Sequence, residues 1–248
     1  MNFFSRLTRK PAAKRAAKIH EAVIETAGGP IMVKAKRNRR ARRMTLRIDA
    51  ANDCAILVLP TYVALAEGLD FARSKAGWLQ DKLAELPARQ AFADGAALTA
   101  LGRTLTIRHE PGLGARVVER DGLLRVGGEA ALLPGRVRRW LKAEAKRAIA
   151  AIAVERASQL GKRVRRVTLR ESRSRWGSCS SDGNLSFCWR LVFAPPDVLD
   201  YVVCHEVAHL AEMNHGEKFW LAVESLTPHA ETARRWLAEN GAALQRLG

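Results

Sequence analysis

The pentapeptide His205-Glu206-Val207-Ala208-His209 constrains this chain more than any other feature, because its chemistry works only on a helix. Two histidines four residues apart project from one face of an α-helix, where both imidazoles reach a single metal ion. The flanking residues ask for that helix independently. Pro195-Pro196-Asp197 supplies a start, since proline is tolerated in a first turn and aspartate is favoured there, and the apolar pattern continues to about Met213. Imidazole nitrogens suit zinc, which prefers nitrogen and sulfur donors in tetrahedral geometry. Glu206 lies beside the first histidine, where its carboxylate can reach a metal-bound water without being a ligand.

A catalytic zinc needs a third protein ligand and one open position. His215, six residues after His209, is the nearest third ligand, with Glu212 and Glu217 as alternatives. The spacing from first to third histidine is that of metzincins. Glu212 stands where their pattern requires glycine, which places the chain outside that class. Metal at such a site lowers the pKa of bound water toward ~7 and polarises the electrophile. Glu206 would take the proton as general base and return it to the leaving group. Tyr201, one turn before His205, stands where it can donate to a developing oxyanion, although a packed helix tyrosine is the simpler reading. Cys204 points about 100° away from His205 and reads as core.

Upstream, β-type runs are expected at Ile31–Val33, Met44–Ile48 and Ala55–Leu59, the last halted by Pro60. Apolar residues at spacings of three and four predict one amphipathic helix between Val63 and Leu86. Further strands are expected at Thr104–Ile107, Ala115–Val118 and Leu123–Val126, the last two joined across Arg120-Asp121-Gly122, a hairpin signal. A long helix from about Arg136 to Leu160 follows, then strands at Val164–Leu169 and near Leu185–Trp189. Two helices close the chain, around Glu217–Ser225 and His229–Glu239, with Gly241 after the last. The sequence shows no repeat. The fold class expected is α+β, divided into a basic flexible arm (1–29), a β-rich accessory region (30–134) and a compact metal-binding hydrolase domain (135–248).

At 248 residues the chain can bury roughly 70–75% of its unfolded surface, so folding requires no disulfide or metal staple. Four scattered cysteines, Cys54, Cys179, Cys188 and Cys204, form no CxxC pair and exclude a disulfide scaffold, a zinc ribbon and a thioredoxin-like site. They read as buried thiols of a reducing compartment. No apolar stretch reaches spanning length and no secretory core is present, so the expected location is cytoplasmic. The formal net charge of +17 concentrates anionic partners, nucleotide or nucleic acid among them. That charge is uneven: residues 1–50 hold 14 Lys and Arg against 3 acidic residues, and residues 201–248 hold 4 against 6. The charge therefore lies mostly away from the histidines.

The stretch Arg175-Trp176-Gly177-Ser178-Cys179, then Gly183-Asn184-Leu185-Ser186, Trp189-Arg190-Leu191, His205-Glu206-x-x-His209, Asn214-His215 and Phe219-Trp220 closely resembles YgjP-like metallopeptidases, relatives of the SprT-like zinc proteins among the zincins. Weaker likeness extends upstream through Met44–Ile48, Leu59-Pro60, Trp78 and Phe92-Ala-Asp-Gly95, so the resemblance covers about residues 30–240. It implies a gluzincin-like catalytic domain in which the active-site helix packs beside a small antiparallel sheet. It also implies one zinc ion held by His205, His209 and His215, with Glu206 as catalyst. Arg175–Cys179 and Leu185–Leu191 would be sheet segments flanking the cleft, able to pair with an extended peptide. Trp176, Trp189 and Trp220 read as core; Arg173, Arg175 and Arg190 either meet an anionic substrate or are solvated or salt-bridged. The expected function is a zinc metallopeptidase acting on polypeptide. Alternatives are a metal-dependent nucleoside triphosphate pyrophosphohydrolase and a SprT-like nucleic-acid-associated protease. The missing Gly-rich P-loop excludes only the Walker-type route to triphosphate.

Overall fold

Alternation of apolar and polar residues builds the first sheet. The computed structural model describes residues 19–172 and 175–248, and the chain divides into two compact units, Met1–Glu85 and Leu86–Gly248. In the first unit, β1 (Ile19–Ile24), β2 (Ile31–Arg37), β3 (Thr45–Asp49) and β4 (Cys54–Leu59) lie in the order β1-β2-β4-β3. β1/β2 and β3/β4 are antiparallel, whereas β2/β4 is parallel. Ile31, Val33 and Ala35 of β2 face the core while Met32, Lys34 and Lys36 turn outward, the period-2 signature of a half-buried strand. β4, paired on both sides, is buried almost throughout.

β1 falls inside the span read from sequence as a flexible arm. Its strand character comes from pairing with β2 and from a Lys34–Glu21 ion pair at 3.1 Å, neither of which local propensity reveals. Residues 1–18 of that arm lie outside the described residues. The single helix expected between Val63 and Leu86 is two, α1 (Leu65–Ser74) and α2 (Ala76–Ala84). Lys75, at φ −109° and ψ 17°, breaks the helical path, and its N–H bonds back to Ala72 O, closing α1. The break lets Ala72 and Leu79 both enter the same core as Leu57 and Leu59.

The second unit opens with β5 (Ala97–Ala100), β6 (Arg103–His109), β7 (Val117–Arg120) and β8 (Leu123–Val126), in the order β5-β6-β8-β7. The hairpin expected between β7 and β8 is present. Asp121 and Gly122 both have positive φ (53° and 75°), as a tight primed turn requires. These strands share a core with the following helix α3 (Leu133–Gln159): Leu105, Ile107, Leu124 and Val126 meet Val137 and Leu141. The two compact units meet in sequence at Glu85/Leu86, so β5–β8 fall in the same unit as α3.

Buried positions of α3 recur every four residues: Leu133, Val137, Leu141, Ala145, Ile149, Ala153 and Ala157. A step of four turns the stripe about 40° each time, so the buried face winds round the helix. One helix can then pack successively on β7 and β8, on the 3₁₀ segment Trp189–Phe193, and on the later elements β9 (Arg166–Arg170) and α4 (Pro196–Ala208). β10 (Gly177–Cys179) and β11 (Asn184–Cys188) complete a three-stranded sheet, β10-β11-β9. This sheet is mixed and not wholly antiparallel: β10/β11 is antiparallel but β11/β9 is parallel, because β9 arrives from the end of α3 without a hairpin. α5 (Glu217–Leu226) and α6 (Ala230–Leu244) close the chain. Gly241 lies inside α6, where a Cβ would come within 3.2 Å of the Trp176 ring; its small size admits that ring and does not stop the helix.

A charged cluster ties these parts together. Arg190 is 8% exposed, its guanidinium lies 4.8 Å from the Trp189 ring, and it binds Glu171 at 2.8 Å. Lys142 of α3 reaches the same carboxylate at 2.7 Å. Burial alone would raise the Glu171 pKa, but bonds from Lys142 and Arg190 hold it down to about 2. The stabilisation is therefore present above the ordinary carboxylate value of 4.5 and lost as pH falls through about 2. Glu171→Gln should flatten the acid limb of the melting temperature in that window, modestly because the carboxylate is half exposed. Parallel wild-type and variant profiles would show that Glu171 contributes nothing there.

No helix among the described residues is long and apolar enough to cross a membrane. Among the described residues no cysteine is in a disulfide; Cys54, Cys188 and Cys204 are buried and Cys179 is half-buried.

Candidate metal centre

α4 ends earlier than its apolar pattern suggests, and that ending builds the site. His209 is the C-cap residue, and the chain beyond it turns back through Leu210 N–H to Val207 O and Glu212 N–H to Ala208 O. The turn brings Glu212 O to 3.0 Å from His209 Nδ1, a geometry that fits an Nδ1–H donor. Nε2 of His209 is left with its lone pair free, the form in which imidazole binds metal. The same turn carries His215 back to α4, with its Nε2 3.2 Å from His205 Nε2.

One ligand atom from each of His205, His209 and His215 lies within 4.8 Å of the others. Among the described residues neither Glu212 nor Glu217 joins this group, and Glu212 Oε1 instead accepts from Asn214 N–H at 3.3 Å. Two facing imidazole nitrogens have no strong bond to offer each other when both are acceptors. Their 3.2 Å separation is close to the edge of a tetrahedron with Zn–N of about 2.0–2.1 Å, roughly 3.3 Å. The donor set of three imidazoles therefore fits a zinc-like ion. Burial, followed by the neighbouring His209 and His215 and then Arg234, pushes His205 down to about 4, favouring the neutral ligand form. Burial also lowers His209.

Packing holds the rings. Phe219 of α5 is fully buried, with its centroid 4.9, 4.5 and 4.6 Å from those of His205, His209 and His215. Among the described residues His205 Nδ1 is buried without a hydrogen-bond partner, and Phe219 and Tyr201, the latter at 6.0 Å, pack on this imidazole. The Tyr201 side chain is buried, as a packed tyrosine, yet it also lines the cleft. Cys204 is core, its Sγ 3.8 Å from Leu226 O.

Glu206 is 6% exposed. Burial raises its pKa to about 7, against an opposing pull from Arg175. Gly177 of β10 sits directly against its carboxylate: a Cβ there would lie 2.5 Å from Glu206 Cγ and 2.7 Å from Cδ. A cleft of about 510 Å³ opens at this point, lined by Arg175, Trp176, Gly177, Tyr201, His205, Glu206 and Arg234, among others.

Of the other residues singled out by sequence, Trp189 is fully buried and Arg190 is salt-bridged. Trp176 and Trp220 are half-buried against the core, and Arg173 lies outside the described residues. Sequence reasoning missed Arg234, 5.3 Å from the Trp220 ring, and the contact of Gly177 with the base. The second carried a signal, because glycine inside a strand marks close approach of another group.

Residues 42–240 match the family model described as YgjP-like, metallopeptidase domain. No curated protein matches the chain. Among solved structures it is similar to the crystal structure of the metallopeptidase zymogen of Pyrococcus abyssi abylysin, with 20% identity and a TM-score of 0.34 over 37% of this chain and 93% of that one.

Proposed function

The chain belongs to the YgjP-like metallopeptidase-domain family, and from that premise we propose that it is a zinc-dependent peptidase cleaving polypeptide in the cleft beside α4. The observation that carries this reading is the convergence of His205, His209 and His215 next to the buried carboxyl of Glu206. The three imidazoles would hold one zinc ion, which supplies a Lewis acid for the scissile carbonyl and lowers the pKa of water. Glu206 then accepts a proton from the attacking water and delivers it to the departing amine nitrogen. Its burial keeps the carboxyl away from bulk solvent, and the Gly177 backbone leaves room for it. Among the described residues β10 is an edge of its sheet, where an extended substrate could align by strand addition. α4 beside the β10–β11 pair reads as the core of a gluzincin-like domain, and cysteines without a disulfide among the described residues fit a cytoplasmic location.

Arg175 and Arg234 in the cleft wall favour a second reading, hydrolysis of a nucleoside triphosphate by the same metal and base. One experiment separates the two. The purified chain is loaded with zinc, its metal content is measured, and release of new amino termini from an unfolded polypeptide is compared with release of phosphate or pyrophosphate from triphosphates. About one zinc per chain with peptide cleavage is expected. Triphosphate turnover without peptide cleavage would replace the first reading by the second, and a chain that takes up no zinc would end both.

A further inference from the structure

The first unit carries a surface that a peptidase site does not explain. Between β2 and β3 the chain makes a tight, hydrogen-bonded turn containing Arg39, Arg40, Arg42 and Arg43, all exposed. Its backbone is fixed at several points: Asn38 N–H to Leu59 O (2.8 Å), Arg40 N–H to Asn38 Oδ1 (3.0 Å), Ala41 N–H to Asn38 O (3.1 Å), and Tyr62 O–H to Arg42 O (2.7 Å). Among the described residues none of these four guanidinium groups has a carboxylate partner, whereas Arg73, Arg103, Arg147, Arg156, Arg190 and Arg235 each have one. Four like charges held close together on an ordered turn repel one another, and a polyanion relieves that repulsion.

The turn runs into a groove of about 530 Å³ lined by Arg43, Met44, Thr45, Leu46, Phe71, Lys75 and Trp78. Trp78 is 40% exposed and Tyr62 is 75% exposed, so aromatic faces stand open beside the charge. Among the described residues β3, the strand on the groove side, is an edge of its sheet. An apolar, aromatic floor with cations at its rim matches a strand of unpaired nucleotides, whose bases stack on aromatic rings while phosphates meet arginine and lysine. An acidic peptide would need a carboxylate at nearly every residue to match four arginines in five positions, whereas a phosphodiester chain carries one charge per nucleotide.

We propose that the Arg39–Arg43 turn and the Trp78 groove of the first unit form a binding surface for single-stranded nucleic acid. A base stacks on Trp78, and the phosphates on either side are held by Arg43, Lys75 and the other arginines of the turn. The surface reads the strand without sequence preference, because it offers stacking and charge and no edge-reading set of donors. It is independent of the histidine centre.

Fluorescence anisotropy of the full chain with dye-labelled 20-nucleotide oligo(dT), oligo(U) and a DNA duplex of equal length tests this. Both single strands should bind more tightly than the duplex, with a salt slope of about −2 to −3 for three to four phosphate contacts. A stronger oligo(U) or oligo(dT) arm assigns RNA or DNA as the preferred strand. Trp78→Ala should weaken binding about tenfold or more. Arg39→Gln, Arg40→Gln, Arg42→Gln and Arg43→Gln together should weaken it further and flatten the salt slope. Removal of two positive charges from the other unit, Arg138→Gln with Arg139→Gln, should change binding less than twofold. Far-UV circular dichroism and melting temperature establish that each variant is folded. The proposal is overturned if the folded Trp78 and arginine variants bind as wild type does, if deletion of residues 1–18 alone removes all binding, or if a poly-glutamate peptide binds more tightly than either oligonucleotide.

Discussion

Replacing Glu206 by glutamine should leave about one metal ion per chain in place and reduce kcat by a factor of about 10²–10⁴. Glutamine has the shape of glutamate, so the side chain, only 6% exposed, keeps its place against Gly177 and beneath the histidines. None of the three ligand atoms belongs to Glu206, so the donor set is untouched. An amide cannot accept the proton of an attacking water, and that is the function lost. Metal content and melting temperature should match wild type, because a neutral amide is no harder to bury than a carboxyl. Hydrolysis at the wild-type rate would remove Glu206 from the chemistry. Loss of metal along with activity would instead make it part of the binding shell.

Gly177→Ala should lower kcat/KM about a hundredfold without changing the protein's metal content. The added methyl would lie 2.5 Å from Glu206 Cγ and 2.7 Å from Cδ, far inside contact distance. β10 is held by pairing of Gly177 with Phe187 and Ser178 with Ser186, so the carboxylate side chain moves before the strand does. A displacement of about 1 Å at a proton-transferring group costs about two orders of magnitude. Glu206→Asp retracts the carboxylate by one methylene and offers a diagnostic partner. In the double variant the methyl meets empty space, so the combined loss should be smaller than the product of the single losses. Independent, multiplying losses would show that Gly177 acts on activity by some route other than crowding Glu206.

The convergence of His205, His209 and His215 was the most legible part of this chain. A helix fixes the spacing of His205 and His209, and His215 returns because only a short turn separates it from them. The end of α4 was not legible. Apolar residues continue past Ala208, but the backbone tightens there into i→i−3 bonds, Leu210 N–H to Val207 O and Ala211 N–H to Ala208 O, in the turn that delivers Glu212 O to His209. β1 escaped because Ile19-His-Glu-Ala-Val-Ile24 has no alternation of apolar and polar residues to mark it as a strand; its identity resides in β2. The packing partner of β5–β8 escaped for a similar reason. Leu105, Leu124 and Val126 have the same pattern whether their sheet packs on other strands or on α3, and the contact with Val137 and Leu141 that decides it lies in three dimensions.

The strand orders β1-β2-β4-β3 and β5-β6-β8-β7 are one plan laid down twice, and β10-β11-β9 is the same plan without its first strand. Each time the intervening strand is placed at the rim and the strands before and after it pair in parallel, so the chain must cross over before it can return by a hairpin. The crossing segment lies between two strands of its sheet and belongs to neither. In the first sheet it is the turn of Arg39 to Arg43; in the third it leads through Arg175 to Gly177, at the mouth of the cleft. A single architectural device, repeated without a repeated sequence, thus places arginine at both surfaces through which this chain would meet its partners.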